Sequence, residues 1–190
     1  MKAITLNKTK TINLSVKGKT YATVAAICAA LVLPQIFHIA GALFGVQTAL
    51  GEMFLPMQLP ILLVGLIAGP MAGIFAGLIA PIVSFAVTGM PVALMVPVIT
   101  VELMGYGLVS GLLKDKNIPM MLKVVFTQIG GRVLRAGVVL LLVFGIGQTK
   151  LTAGAAYMNI KTGALGILLQ LMLIPTLLYF VNKKMEKESR

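Results

Sequence analysis

Residues 57–87, MQLPILLVGLIAGPMAGIFAGLIAPIVSFAV, contain no charged side chain and decide the fold class of the chain. Gly69 and Pro70 interrupt the stretch, because proline lacks the amide hydrogen that a helix interior needs and glycine is favoured at helix ends. We therefore predict a short helix over 57–69 and a longer one over 71–87. Two adjacent uncharged apolar helices are typical of a protein that spans a membrane.

The composition of the whole chain agrees with this prediction. Of 190 residues, 58% are apolar and 11% are charged, whereas soluble domains carry roughly 45–50% apolar and about 25% charged residues. A soluble fold of this composition would expose far more apolar surface than a monomer tolerates. We expect an all-α integral membrane protein, a six-transmembrane-helix bundle formed by residues 1–190 as a single membrane domain. The other four helices are predicted at about 21–37, 92–113, 119–146 and 162–181.

The positive charge is distributed as in a membrane protein and not as in a nucleic-acid-binding protein. The net charge is +11, yet no Lys or Arg lies between Lys19 and Lys114. Basic residues cluster at the polar arm 1–19, at 114–123 and at 183–190, which flank apolar segments as the positive-inside rule describes. A nucleic-acid surface would interleave basic and aromatic residues. With six helices, both termini and all three blocks fall on one side, so we expect cytoplasmic termini in a multi-pass protein of the bacterial plasma membrane.

Catalytic constellations are absent from the sequence. One His, one Cys and five carboxylates do not supply a common metal cluster, and there is no GxSxG elbow, HExxH pair or P-loop. We therefore expect no metal and no cofactor, and a protein that is not an enzyme and has no ATPase site of its own.

Charged side chains inside the predicted helices mark the candidate functional site, because such charges are costly in a bilayer. Glu102 lies twelve residues before Lys114, and Arg135 lies twelve after Lys123, so both sit about 18 Å from the basic belt. Gln128, Arg132 and Arg135 share one helical face. The spacing predicts a polar plane in the outer half of the bundle. Two interpretations stay open: a lock between two helices, or the floor of a solute site.

Other polar residues near the outer ends of helices extend this candidate site. Gln170 falls at a similar depth in the last helix, and Gln58 begins the second helix. Residues 38–55 form a predicted long outer loop, and loops of this length are often lids or binding segments. His38 begins that loop and is interpreted first as an interfacial residue and second as a ligand contact. Asn159, with Tyr157, would approach from the loop 147–161.

Small residues recur at helical spacing along the chain. Ala22, Ala26 and Ala30 form one ridge on the first helix, and Ala25 and Ala29 form a second. Small residues let helices approach closely in lipid, so this face is available to a partner subunit beside the basic arm. Glycine pairs repeat the spacing in later helices, and for these we predict packing inside the bundle. The pairs are Gly65–Gly69, Gly73–Gly77 and Gly107–Gly111.

Four short segments carry a resemblance to a known family. They are LPMQLP at 55–60, GLIAGPMAG at 65–73, TGMP at 88–91 and ELMGYG at 102–107. These segments occur in a chain of about 190 residues with six predicted helices and a small-residue face on the first helix. In all these features the chain resembles the substrate-binding S components of energy-coupling factor (ECF) transporters. The likeness covers nearly the whole chain, and the architecture carries more of it than any single motif.

The resemblance implies a function. S components capture vitamins or related micronutrients outside the cell and dock, through the first helix, onto a transmembrane coupling subunit that carries two cytosolic ATPase subunits. Carried over here, Ala22, Ala26 and Ala30 would be the docking face, and residues 38–55 and 88–91 would gate the site. Tyr106, within ELMGYG, joins Glu102, Arg132, Arg135 and Gln170 as a candidate substrate-binding residue.

The substrate itself does not follow from the resemblance. A compact polar plane favours a ring compound such as a B6 vitamer or a thiamine-pyrimidine precursor. Pantothenate or another anion, held by Arg132 or Arg135, is an alternative, as is cobalamin. The rival class of function is a small integral membrane enzyme or assembly factor that acts without ATPase partners.

Overall fold

The structure is a computed structural model that describes residues 14–46, 49–147, 150, 152–156 and 162–188. Those residues form helices and connecting turns, with no strand among them. The described residues contain seven α-helices, which are α1 (Val16–Leu43), α2 (Ala49–Phe54), α3 (Gln58–Ala68), α4 (Pro70–Thr88), α5 (Val96–Leu113), α6 (Met120–Leu140) and α7 (Ala164–Glu188).

Six helical segments of the described chain are long and apolar enough to cross a membrane. The helices α2 and α3 together make one of them, α5 is lengthened by the 3-10 turn Ala93–Met95, and α6 is continued by the π-helical segment Leu141–Gly145. Large apolar side chains are exposed on all six segments, as expected of surfaces that face lipid. The predicted all-α class is confirmed for the described residues, and their six long apolar helices indicate a multi-pass membrane protein.

The first helix is longer than predicted, and the predicted loop 38–55 is wrong. The helix α1 begins at Val16, where the Ser15 hydroxyl accepts a hydrogen bond from the Gly18 amide at 3.2 Å, and ends at Leu43. Pro34 lies inside the helix rather than near its end. The backbone stays helical past Pro34 to Leu43, Gly45 follows with φ +71°, and α2 begins at Ala49. The ring centroids of Phe37 and Phe54 lie 5.2 Å apart, and this contact packs α2 against α1.

The break at Gly69 and Pro70 lies where the sequence predicts it. Gly69 has φ +98°, a conformation that residues with a side chain rarely adopt, and Pro70 is the first residue of α4. The predicted bounds 57–69 and 71–87 compare with Gln58–Ala68 and Pro70–Thr88 in the structure. The two helices fold back on each other through this turn.

Glycines bring α4 and α5 into backbone contact. A Cβ placed on Gly73 would lie 2.4 Å from the carbonyl oxygen of Gly107, and one placed on Gly77 would lie 2.5 Å from the carbonyl carbon of Leu103. A Cβ on Gly111 would lie 2.3 Å from Pro70. No side chain fits at these positions without moving a backbone. The predicted role in internal packing is confirmed for Gly65, Gly73, Gly77, Gly107 and Gly111, whereas a Cβ on Gly69 would meet nothing within 4 Å.

One end of the bundle carries the basic loop between α5 and α6. Burial lowers the pKa of the Lys114 ammonium, Asp115 raises it, and the nearby charge of Lys19 lowers it further. Lys19, near the start of α1, therefore lies close to Lys114 at the end of α5. The buried Lys123 closes this end by donating from Nζ to the Lys114 carbonyl oxygen at 2.7 Å. We call it the basic end and the opposite one the far end.

Candidate functional site

The centre of the candidate site is an ion pair between α5 and α6. The Arg135 Nη1 donates to Glu102 Oε2 at 2.7 Å, and both side chains are buried. Glu102 lies in the half of α5 nearer Val96, and Arg135 lies in the half of α6 nearer Leu140. The pair is therefore in the half of the bundle toward the far end. The predicted meeting of Glu102 and Arg135 at one depth is confirmed.

Tyr106 connects this ion pair to a second arginine. It lies one turn after Glu102 on α5, and its hydroxyl donates to Glu102 Oε1 at 2.8 Å. The same hydroxyl accepts a hydrogen bond from Arg132 Nη1 at 3.1 Å. Gly131 makes room for the phenol ring, because a Cβ there would lie 2.3 Å from the Tyr106 Cε1. Both oxygens of Glu102 and the hydroxyl of Tyr106 therefore have partners.

The hydrogen bonds continue from Arg132 to α7. Arg132 Nη1 also donates to Gln128 Oε1, and Gln128 Nε2 donates to Gln170 Oε1. Gln170 Nε2 then donates to the carbonyl oxygen of Leu55 at 3.4 Å. We call the six connected side chains the polar network: Glu102, Tyr106, Gln128, Arg132, Arg135 and Gln170. All six are buried, and they join α5, α6 and α7.

Two backbone segments hold the ends of the polar network. At one end, Leu55 has φ +49° in the junction between α2 and α3, and its carbonyl also accepts from the Gln58 amide at 3.1 Å. A leucine in this left-handed region is strained, and strain of this kind is concentrated at functional positions. At the other end, Arg135 Nε donates to the Ala155 carbonyl at 3.3 Å. The short helical turn Ala153–Ala156 thereby packs over the network from the far end.

Arg132 is the member of the polar network whose hydrogen bonding is incomplete. Its Nε and Nη2 are buried and have no partner among the described residues. A buried donor without an acceptor costs about 1–3 kcal/mol, and more when the group is charged. Arg135 is neutralised by Glu102, but no carboxylate of the described chain pairs with Arg132. The polar network therefore holds one uncompensated positive charge and two donors without an acceptor among the described residues.

The other predicted site residues that the structure describes, Gln58 and His38, make no hydrogen bond to a side chain of this network. Gln58 is buried at the start of α3, and its Oε1 has no partner among the described residues. Its backbone amide donates to the Leu55 carbonyl oxygen, which also accepts from Gln170 of the network. His38 packs over α2, since a Cβ on Gly51 would lie 3.0 Å from the His38 Cε1. Asn159 and Tyr157 lie outside the described residues.

The alanine ridge predicted as a docking face points into the bundle. Ala26 and Ala30 belong to the hydrophobic core, where Ala30 has 0% exposure, and Ala22 packs partly against it. The assignment of Ala26 and Ala30 to an open docking surface is therefore wrong for this conformation. The second ridge faces outward instead, because Ala25 is exposed and Ala29 is half-buried. Both ridges are equally small in sequence, so their spacing gave no indication of which one faces inward.

Gln128 shares the predicted face of Arg132 and Arg135, and the structure adds it to the site residues. A lone amide four residues before an intramembrane arginine was the available signal. Thr100 was missed altogether, and its buried Oγ1 has no partner among the described residues. Thr100 lies two residues before Glu102, but a single threonine in an apolar helix carries no distinctive pattern.

No family model, no curated protein and no solved structure matches this chain. Its function has to be inferred from the chemistry of the polar network. Among the described residues there is no group of three His, Cys, Asp or Glu side chains that could hold a metal ion. The network instead offers hydrogen-bond donors, amide groups and a positive charge, which are suited to binding a polar solute.

Proposed function

We propose that this chain is the substrate-binding S component of an energy-coupling factor transporter. It captures a water-soluble vitamin or vitamin precursor at the polar network, and partner subunits supply ATP-driven uptake. The observation that carries the proposal is the buried network itself, in which Arg132 Nε and Nη2 have no acceptor among the described residues. Polar groups inside a membrane are costly and mark substrate pathways.

The depth of the polar network supports capture from outside the cell. Lys19, Lys114 and Lys123 lie at the basic end, and basic loops are retained in the cytoplasm. Under this orientation both termini are cytoplasmic, the membrane is the bacterial plasma membrane, and the network lies in the outer half of the bundle. The turn at Ala153–Ala156, tied to Arg135 through Ala155, is then the outer cover of the site.

Docking onto the coupling subunit is assigned to the outward ridge of α1. Ala25 is exposed and Ala29 is half-buried, while Cys28 between them is exposed as well. These small side chains would let a partner helix approach the α1 backbone closely. The buried ridge at Ala26 and Ala30 instead holds α1 against the core. The partners are the transmembrane coupling subunit and two cytosolic ATPase subunits.

Co-purification from the chain's own membrane tests this proposal. A tagged full-length chain is solubilised in mild detergent, and recovered proteins and retained small molecules are identified by mass spectrometry. We expect an integral coupling subunit, two ATPase subunits and a vitamin-sized solute. The Ala25→Leu variant is the matched control and should retain the solute but not the subunits. Recovery of the chain alone, without ATPase subunits or solute, would contradict the proposal and favour an enzyme or assembly factor.

A further inference from the structure

The charge of the polar network is unbalanced. It contains two guanidinium groups, Arg132 and Arg135, and one carboxylate, Glu102, which is paired with Arg135. Arginine stays protonated in proteins, so Arg132 carries a positive charge with 9% exposure and no carboxylate partner in the described chain. A lone charge in such surroundings is strongly unfavourable. A bound anion with a single charge would bring the network to neutrality.

The hydrogen-bond geometry of Arg132 selects the kind of anion. Its Nη1 is occupied by the Tyr106 hydroxyl and by Gln128 Oε1. The two atoms without a partner, Nε and Nη2, lie on the same edge of the guanidinium plane, where their N–H bonds point in nearly the same direction. This edge matches the two oxygens of a carboxylate in a bidentate pair. Tyr106 and Gln128 fix the opposite side of the group and so hold this edge in position.

Other solutes fit this charge less well. A water molecule can accept from one donor but brings no charge. A phosphate monoester carries about −1.5 to −2 charges at pH 7 and would leave negative charge buried. A cationic ring would add a second uncompensated positive charge to the network.

We infer that the captured solute is a monocarboxylate whose carboxylate accepts hydrogen bonds from Arg132 Nε and Nη2. This inference rests on the proposed function and narrows its substrate class to acids such as pantothenate. Arg132 is then the specificity-determining residue of the site, and the Glu102–Arg135 pair is its neutral support. The carboxylate of the solute is the counter-ion of Arg132, as Glu102 is the counter-ion of Arg135.

Matched pairs of compounds test the inference on the wild-type protein. The full chain, freed of retained solute by extensive washing, is titrated with acids and with their uncharged counterparts, and thermal stability and binding heat are measured. The probes are pantothenate and pantothenol, nicotinate and nicotinamide, biotin and biotin amide, together with pyridoxal, thiamine and pyridoxal phosphate. We expect one acid to bind and its uncharged counterpart to bind about 10- to 100-fold more weakly, as expected when hydrogen bonds to a charged group are lost.

Three variants separate a role in recognition from a role in folding. Arg132→Gln should reduce the affinity for the acid to the affinity that the wild-type protein has for the uncharged counterpart. Arg132→Lys keeps the charge but not the bidentate edge, and should bind the acid about tenfold more weakly. Lys116→Gln removes the same charge from an exposed loop position and should bind as the wild type does.

The outcomes distinguish this inference from the proposed function. Binding of pyridoxal, thiamine, pyridoxal phosphate or an amide as tightly as of any acid overturns the carboxylate inference and leaves solute capture standing. Binding of an acid that is unchanged in a folded Arg132→Gln variant also overturns it. Absence of any retained solute in the chain purified from its own membrane, with no response to any probe, overturns both.

Discussion

Arg135 Nη1 donates to Glu102 Oε2 at 2.7 Å, and this ion pair joins α6 to α5 across 33 positions of sequence. The two side chains are only 5% and 2% exposed. Removing one partner would leave the other charge buried and alone, and such a change typically costs about 3–5 kcal/mol. Removing both avoids that cost, so the pair can be separated from its surroundings by a double-mutant cycle.

We expect Glu102→Gln and Arg135→Gln to destabilise the protein more as single changes than as the double change. Because the double variant leaves neither charge of the pair unpaired, it should remain folded. It keeps Arg132 but loses the support of the pair, so it should bind the solute poorly. Thermal unfolding in detergent and solute titration of all four proteins measure the two effects. Unchanged affinity in a stable double variant would assign the pair to structure alone and move the site toward Gln58.

The polar network shows how much of the site the sequence could predict. The depth of Glu102 and Arg135 follows from counting residues to the basic belt, and the depth of Gln170 from its distance to the predicted outer end of the last helix. The shared face of Gln128, Arg132 and Arg135 follows from spacings of four and three. The pattern of hydrogen bonds could not be predicted. In that pattern Arg132 Nη1 donates to both the Tyr106 hydroxyl and Gln128 Oε1. That pattern depends on side-chain rotamers and on the space at Gly131, and the spacing of residues in the sequence indicates neither.

The fold shows the same division between pattern and packing. The six apolar segments could be predicted because charged residues are rare inside membrane spans, and the break at Gly69 because a Gly-Pro pair favours a helix end. The helix α2 could not be predicted, since a glycine-rich segment with one glutamate, Glu52, resembles a loop in composition. In the structure this helix contacts both α1 and α7. It lies so close to α7 that a Cβ on Gly166 would be 2.6 Å from the Phe54 carbonyl oxygen. Tertiary contacts of this kind have no local signal.

A substitution at the contact of α4 with α5 should be costly. In Gly73→Ala, the new methyl group would lie 2.4 Å from the Gly107 carbonyl oxygen, so the helices must separate. We expect a loss of about 1–3 kcal/mol, as in other overpacked interiors, measured by thermal or denaturant unfolding. Gly137→Ala is the matched control, because a Cβ there meets nothing within 4 Å and alanine is the better helix former. A Gly73→Ala variant as stable as the control would contradict the close contact.

Lys123 should stabilise the basic end through its hydrogen bond to the carbonyl group of Lys114, the residue that caps the C-terminus of α5. Its buried Nζ donates to the Lys114 carbonyl oxygen at 2.7 Å, and a positive charge is favourable at a helix C-terminus. Lys123→Met keeps the apolar stem and removes the donor, and we expect it to lower stability by about 1–3 kcal/mol. Lys116→Gln, at an exposed position of the same loop, should change stability little. Equal stability of the two variants would show that the Lys123 contact contributes nothing.

The two alanine ridges of α1 should respond differently to the same substitution. Ala30 has 0% exposure in the core, so Ala30→Leu adds three carbon atoms where there is no space and should lower both stability and solute binding. Ala25 is exposed, so Ala25→Leu should leave folding and solute binding of the isolated chain unchanged.

If the outward ridge meets the coupling subunit, the larger side chain of Ala25→Leu will hold the partner helix away from the α1 backbone. Uptake of the labelled solute by whole cells should then be lost in Ala25→Leu, while binding to the purified variant equals that of the wild type. Val24→Leu, a neighbouring exposed position that is already large, is the control and should support normal uptake. Normal uptake in Ala25→Leu would remove the outward ridge from the docking surface.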